Sequence, residues 1–483
     1  MTCAHAMYPM HRRPRSAPLA LVLAPLIAGL AGLAGLAGLA GCTSMAPAYE
    51  RPAAPVPANL PGGAGTQTAA AVPWHDFVRE PRLARIIEQA LTQSRTLRRA
   101  AIQIESARAQ YRIQRAASLP SVDGVASVTA TRAIIDNDNH TATSELYSIG
   151  GLASWEIDVF GRLRSQSDSK LQAYFSTVEA ARATRVSLIA ETASAYVTLA
   201  ADRSRLAIAQ GTMTAAKQTM DLTEQLVSGG TSNRGDYWQA ATVYQQARAD
   251  VALLTSAIAA DGNALELLAG GPVDAAALPE ALPEQLDWFA DVPVGLSSAV
   301  LLERPDVLAA EHDLMAANAD IGAARAQLFP TLNLTASGGL ASAALGALFT
   351  GPAAVFTLAP ALALPLFRGG ATRANIEFTQ SQKRLFIASY ELAIQTAFRE
   401  VADALAARGT IDEQLAAQRA LVEAANKGYE LAQARYKAGV DTFLTTLVSQ
   451  RALYGAKNSL IATQLAALTT RVTLYRVLGG GLK

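Results

Sequence analysis

Side chains able to do chemistry are few. Beyond residue 41 the chain has one cysteine, Cys42, and three histidines, His75, His140 and His312. The histidines are far apart in sequence. None stands at the spacing of a zinc site or of a Ser–His–Asp or Cys–His arrangement. Gly479-Gly480-Gly481 is not followed by the Lys and Ser/Thr of a phosphate-binding loop. The expectation is a protein that is not an enzyme and needs no metal or other cofactor. Cys42 is the exception, a lone thiol at the end of an apolar run.

The segment before Cys42 is built to present it. His11, Arg12, Arg13 and Arg15 come first, then an apolar stretch over 18–41, then small residues. That is the order of a secretory signal, although the stretch could span a bilayer uncut. Leu39-Ala40-Gly41-Cys42 resembles the bacterial lipobox. The resemblance implies removal of residues 1–41, an S-diacylglycerol on the Cys42 thiol and an N-acyl group on its amine. Several acyl chains anchor firmly where one does not. Lipoproteins with Asp after the cysteine tend to stay at the inner membrane; Thr43 points to the outer one. Cys3 lies in the removed part, so no disulfide is expected, and a chain this long buries a core without one.

With 41 basic and 40 acidic residues the net charge is +1, which gives no case for a nucleic-acid partner. Hydrophobic residues reach 51%, yet no uninterrupted apolar helix of ~20 residues is expected after Cys42. A β-barrel is the other way into a membrane.

Proline divides the chain. Seven prolines between Pro47 and Pro81 make 42–75 an extended tether. None falls between Pro120 and Pro272 or after Pro365, so both gaps permit long helices. The gaps belong to two copies of one plan. Leu119-Pro120-Ser121 recurs as Phe329-Pro330-Thr331, and residues 226–233 align with 436–443 at the same 210-residue offset. A tandem duplication follows: a first repeat over 76–271, a linker over 272–293, a second repeat over 294–478 and a tail over 479–483.

Each copy begins with period-two segments. Tyr147, Ile149, Gly151, Ala153, Trp155 and Ile157 alternate with Ser148, Gly150, Ser154 and Glu156. Residues 122–131, 331–337 and 356–366 alternate likewise, the last carrying Leu362, Leu364 and Leu366 on one face. One apolar and one small or polar face is the pattern of a membrane barrel strand. Each copy then becomes helical over 162–226 and 370–437, each stretch ~100 Å long as a helix. Between Leu444 and Tyr475, steps of three and four give a coiled-coil stripe through Leu447, Arg451, Tyr454 and Leu468. Gly229-Gly230 and Gly439 end the long helices, and Thr231, Ser232, Asp441 and Thr442 can cap the returning ones.

Four strands cannot close a barrel, for which ~8 is the usual minimum. Three chains would bring twelve strands and a ring of long helices, which together make a conduit. Here the chain resembles the outer-membrane factor family of tripartite efflux pumps, the TolC-like and OprM-like channels. The resemblance spans the mature chain and rests on Cys42 with residues 49–57, on 155–165, 364–370, 435–460 and 474–481. It implies a membrane α+β fold: a trimeric, twelve-stranded outer-membrane β-barrel continuing into an α-helical periplasmic barrel. It further implies a belt near 272–293 and external loops near 133–145 and 341–354. The implied partners are two further copies of the chain, a periplasmic adaptor, an inner-membrane pump of the RND type and outer-membrane lipid. The adaptor would dock on Gly229, Gly230, Thr231, Ser232, Gly439, Val440, Asp441 and Thr442. Leu444 would line the periplasmic gate. OprM-like members place an aspartate near the position of Val448, and here the residue is apolar; Asp441 and Asp236 are the nearby acids. An exit duct for metal efflux or type I secretion fits the same pattern, though Met and His are scarce. A structural coiled-coil lipoprotein would not explain paired strands in two copies.

Overall fold

The computed structural model describes residues 44–61, 72–134, 140–292, 297–350 and 353–481. Cys42 and Thr43 lie outside the described residues. In chain order the helices and strands are α1 (Trp74–Phe77), α2 (Pro81–Gln93), α3 (Arg95–Ala116), β1 (Ser121–Ile134), β2 (Thr141–Ile157), α4 (Arg162–Ser228) and α5 (Arg234–Ala269). There follow α6 (Pro305–Ala326), β3 (Thr331–Ser342), β4 (Ala354–Ala363), α7 (Ala371–Lys437) and α8 (Phe443–Val477). The duplication is visible in element lengths: α3 and α6 have 22 residues each, α4 and α7 have 67 each, and α5 and α8 have 36 and 35.

The chain divides into two compact units. One includes Arg115–Gln166 and Asp320–Ile376 and therefore all four strands. They form an antiparallel meander in the order β1-β2-β3-β4. The register puts like on like. Ala153 of β2 pairs with Val122 and Ala336, and Trp155 pairs with Leu334. Leu362 of β4 pairs with Leu332. One face is thus apolar from Val122 to Val128 of β1 and across to β4, giving way to Glu145, Thr143 and Arg132 at the far end of the first hairpin, while Ser127–Ser148 and Ser121–Ser154 hydroxyl contacts at 2.8 and 2.9 Å lie on the other. Because the side-chain period is two, a one-residue slip would put Leu332 and Leu334 of β3, or Leu358 and Leu362 of β4, on the serine face. Every residue of β1 and of β4 is exposed. The sequence pattern carries the fourth apolar face on to Leu366, but β4 stops at Ala363. The reason is local: β3 begins at Thr331, opposite Ala363, so among the described residues no strand pairs with those beyond it.

The other unit includes Ala48–Gln114, Ser167–Ala319 and Glu377–Lys483. Its core gathers the short N-terminal helices, the linker and the long helices. Phe77 stacks on Tyr475 and Phe289, with centroids 4.2 and 5.1 Å away. Arg304, only 6% exposed, ties three elements together. It donates to the Val477 carbonyl at 2.8 Å and pairs with Asp306 at 2.7 Å and Glu400 at 2.8 Å. A buried guanidinium survives only when so compensated. The linker is held by arginines reaching its carbonyls: Arg203 to Pro279, Arg408 to Val292 and Arg471 to Leu286.

The tether is extended but not free. Arg51 makes a bidentate pair with buried Glu311, both contacts 2.6 Å, and Tyr49 donates to the same carboxylate at 3.1 Å. Asn59 bridges to Ser297, and Leu60 is buried. Helix α5 comes nearer to a membrane span than the sequence pattern suggests, with a mean hydropathy of 1.4 over 18 residues.

Candidate functional site

The ends of the two long helices close in the same way. In the first hairpin the Thr231 amide donates to the Leu226 carbonyl and the Gly230 amide to Val227, at 2.9 and 3.1 Å. In the second, Val440 donates to Arg435 and Gly439 to Tyr436, each at 2.9 Å. Both are Schellman closures, and the glycine in each takes the left-handed conformation, φ 73° at Gly230 and 72° at Gly439. Gly439 therefore matches Gly230, not Gly229. The offset is 209 here (439 − 230) and 210 at the strand starts (331 − 121).

The capping expectations also need correction. Asn233, not Thr231 or Ser232, caps α5, accepting from the Asp236 amide at 3.0 Å. Thr231 returns its hydroxyl to the Leu226 carbonyl, and Ser232 binds the Asp236 carboxylate at 2.9 Å. Thr442 stands at the N-cap of α8 without a side-chain capping bond. Asp441 is clamped by Arg435 at 2.6 Å, and that hydrogen bond holds its carboxyl below its ordinary pKa. Both acids near the tips are thus engaged within their own loops.

Between the tips lies a groove of about 750 Å³, lined by Leu226, Asp236, Tyr436, Asp441 and Phe443 among others. Beneath it Phe443 and Leu447 pack with Ala216, Ala240 and Val243, so both hairpins share one small core. This displaces the α8 stripe. Near the tip the buried line runs through Phe443, Leu447, Gln450 and Leu453, whereas Leu444 and Val448 are 53% and 58% exposed. Leu444 and Val448 sit one turn apart on the same exposed side of α8. Arg451, expected within the stripe, is exposed; Leu468, Val472 and Tyr475 are buried as expected.

Polar links between the hairpins were not foreseen. Arg451 donates to Thr242 Oγ1 at 3.0 Å, and the Tyr454 hydroxyl to Asp250 Oδ2 at 2.7 Å. Both fasten α8 to α5. Burial, and then the bond to Asp250, pushes the Tyr454 hydroxyl up to about 12, so it remains a donor at neutral pH. Among the described residues no group of three or more His, Cys, Asp or Glu could hold a metal ion.

The profile of the outer membrane efflux protein family matches residues 86–271 and 296–480. The chain is 43% identical over 451 residues to the toluene efflux pump outer membrane protein TtgI of Pseudomonas putida, covering 91% of this chain and 95% of that one. It is 40% identical to outer membrane protein OprJ of Pseudomonas aeruginosa, covering 91% and 93%. The open state of the Neisseria gonorrhoeae MtrE outer membrane channel superposes with a TM-score of 0.79 at 35% identity, covering 91% and 99%. An apolar-faced four-stranded sheet, paired 67-residue helices and these likenesses agree: the chain belongs to the outer membrane efflux protein family and is the outer-membrane channel component of an efflux system.

Proposed function

We propose that the protein is a homotrimeric exit duct of an RND-type tripartite pump that discharges small, largely apolar organic compounds and antibiotics. The carrying observation is the sheet with two unpaired edges. Unpaired strand groups are not tolerated in a bilayer, and three copies bring four strands each, twelve in all. The named cargo of relatives, toluene and antibiotics, supports the substrate class. Cys42 carries the lipid, with the clamp at Arg51 holding the tether against the helices. The two tips dock the periplasmic adaptor. Leu444 and Val448 form an apolar periplasmic constriction, and the links to Thr242 and Asp250 hold it shut.

The test is complementation of a strain lacking its own duct but carrying the adaptor and pump. Gly439→Trp, at a positive φ that side chains avoid, is expected to abolish drug resistance with trimer and location intact. Retained efflux and adaptor crosslinking would defeat the docking assignment. Leu444→Ser is expected to raise conductance in planar bilayers; unchanged conductance would place the gate elsewhere. Mass spectrometry of membrane-extracted protein is expected to find Cys42 acylated.

A further inference from the structure

We infer that β4 of one copy pairs with β1 of the next in a register dictated by the chain's own internal repeat. Ala363 then lies opposite Val125 of the neighbour, and residues 364–367 become a strand that the lone chain does not form. The inference rests on the homotrimer reading above.

The repeat relation inside the sheet can be measured. Ser121 pairs with Ser154 in the first hairpin, and Thr331 pairs with Ala363 in the second. Thus β1 maps onto β3 by 210 and β2 onto β4 by 209 (331 − 121 and 363 − 154). The seam between the hairpins is β2–β3, where Ser154 pairs with Thr335. Carrying that seam through the repeat puts Ala363 against Val125 (154 + 209 and 335 − 210).

Three further observations agree with this register. Facing is one. The even-numbered residues of β1 and β4 both lie on the apolar face, and this register sets even against even, as in Leu362 opposite Ala126. A one-residue slip would bury serines among lipid-facing leucines. Length is another. The register places Ala354, the first residue of β4, opposite Ile134, the last of β1, and Phe367 opposite Ser121, the first of β1. Exposure is the last. Beyond β4, Leu366 and Phe367 are 90% and 88% exposed. The counterpart of Leu366 in the first repeat, Ile157, is paired with Leu332 of β3. The second copy supplies the missing ladder.

Engineered disulfides in the full-length, membrane-inserted protein test the register. In one variant Ser127→Cys is combined with Ala361→Cys, in another Ala126→Cys with Leu362→Cys. One of these adjacent pairs is non-hydrogen-bonded, with Cα atoms about 4.5 Å apart, and it is expected to yield chain-to-chain crosslinks under mild oxidation. Controls shift the partner by two residues, Ser127→Cys with Ala359→Cys or Ala363→Cys, and are expected to crosslink at least ten-fold less. Efficient crosslinking only in a shifted pair would overturn the register and leave the trimer standing. A detergent-stable trimer with no crosslink in any variant would overturn the β4–β1 pairing. A monomer by native mass spectrometry would overturn the trimer, and the register with it.

Discussion

Helices α3 and α6 are copies of one element, yet they live in opposite surroundings. Of α3 only Ala100 is buried; of α6, Val307, Leu314, Ile321 and several alanines are. The charges differ as well. Six arginines and one glutamate stand on α3, whereas α6 carries Asp306, Glu311, Asp313 and Asp320 with one arginine. The returning helices repeat the contrast. Six residues of α5 are buried against thirteen of α8. The long helices reverse it: eighteen residues of α4 are buried against seven of α7, so each repeat leaves a different part of its surroundings uncovered by its own chain. Exposure in one chain therefore marks absent neighbours, and equivalent positions of the repeat make matched experiments.

The largest expected effect is at the residue just before each 22-residue helix. In the second repeat it is Arg304, with its three partners; 210 residues earlier it is Ser94, also buried, whose hydroxyl accepts from the Thr96 amide at 3.2 Å. Arg304→Ala leaves the Val477 carbonyl and the partly exposed Glu400 and Asp306 without their donor and is expected to cost about 2–3 kcal/mol. Ser94→Ala removes one cap and is expected to cost about 1 kcal/mol. Denaturant unfolding of the purified protein measures both. Equal costs would mean that the two repeats contribute alike.

Next come the strand seams. A Cβ on Gly339 would stand 2.3 Å from the Ile149 carbonyl oxygen, and one on Gly150 would stand 2.5 Å from that of Gly338. Their repeat equivalents, Thr129 and Ala359, already carry side chains. Gly339→Val is expected to block barrel assembly, read as loss of heat-resistant trimer, whereas Thr129→Val is expected to be tolerated. If both assemble normally, the two kinds of seam are equally tight.

Periodicity made the strands and long helices legible, because polar–apolar alternation and proline-free length survive any packing arrangement. It could not tell which side of a helix its own chain covers. Leu444 and Leu447 obey one pattern, yet the first is exposed and the second buried. The tip offset was hidden by the Gly229-Gly230 pair, since only backbone φ distinguishes the left-handed member. Asn233 was overlooked as a cap because Thr231 and Ser232 are equally good capping types. The links from Arg451 and Tyr454 join residues more than 200 positions apart, and a single sequence carries no signal for such a pair.

A milder test exchanges a surface residue between repeats. Leu267 on α5 is 80% exposed, and 209 residues later α8 has Arg476. Leu267→Arg places the second repeat's residue in the first. The single-chain fold is expected to persist, since Leu267 makes little contact there, while the trimer dissociates at a lower detergent concentration than the parent. An unchanged trimer would mean that no neighbouring copy covers this part of α5.

The smallest effect separates the tips by pH. At positions where the second tip has Arg435 and Asp441, the first has Leu226 and Ser232. Only the second tip is closed by an ion pair, and its lowered carboxyl pKa fixes the sign. The pair's contribution is fully present above the ordinary aspartate pKa, about 4, and is lost as pH falls through the lower folded value. The Arg435–Asp441 pair is open to solvent on one side, so screening keeps the effect local. Amide exchange at 438–442, corrected for the intrinsic pH dependence, is expected to speed up on that acidification, while exchange at 229–233 holds closer to its neutral value. Asp441→Asn should bring the acid behaviour to neutral pH at the second tip alone. If exchange at both tips responds equally, the Schellman hydrogen bonds rather than the ion pair set tip order, and the two repeats end alike.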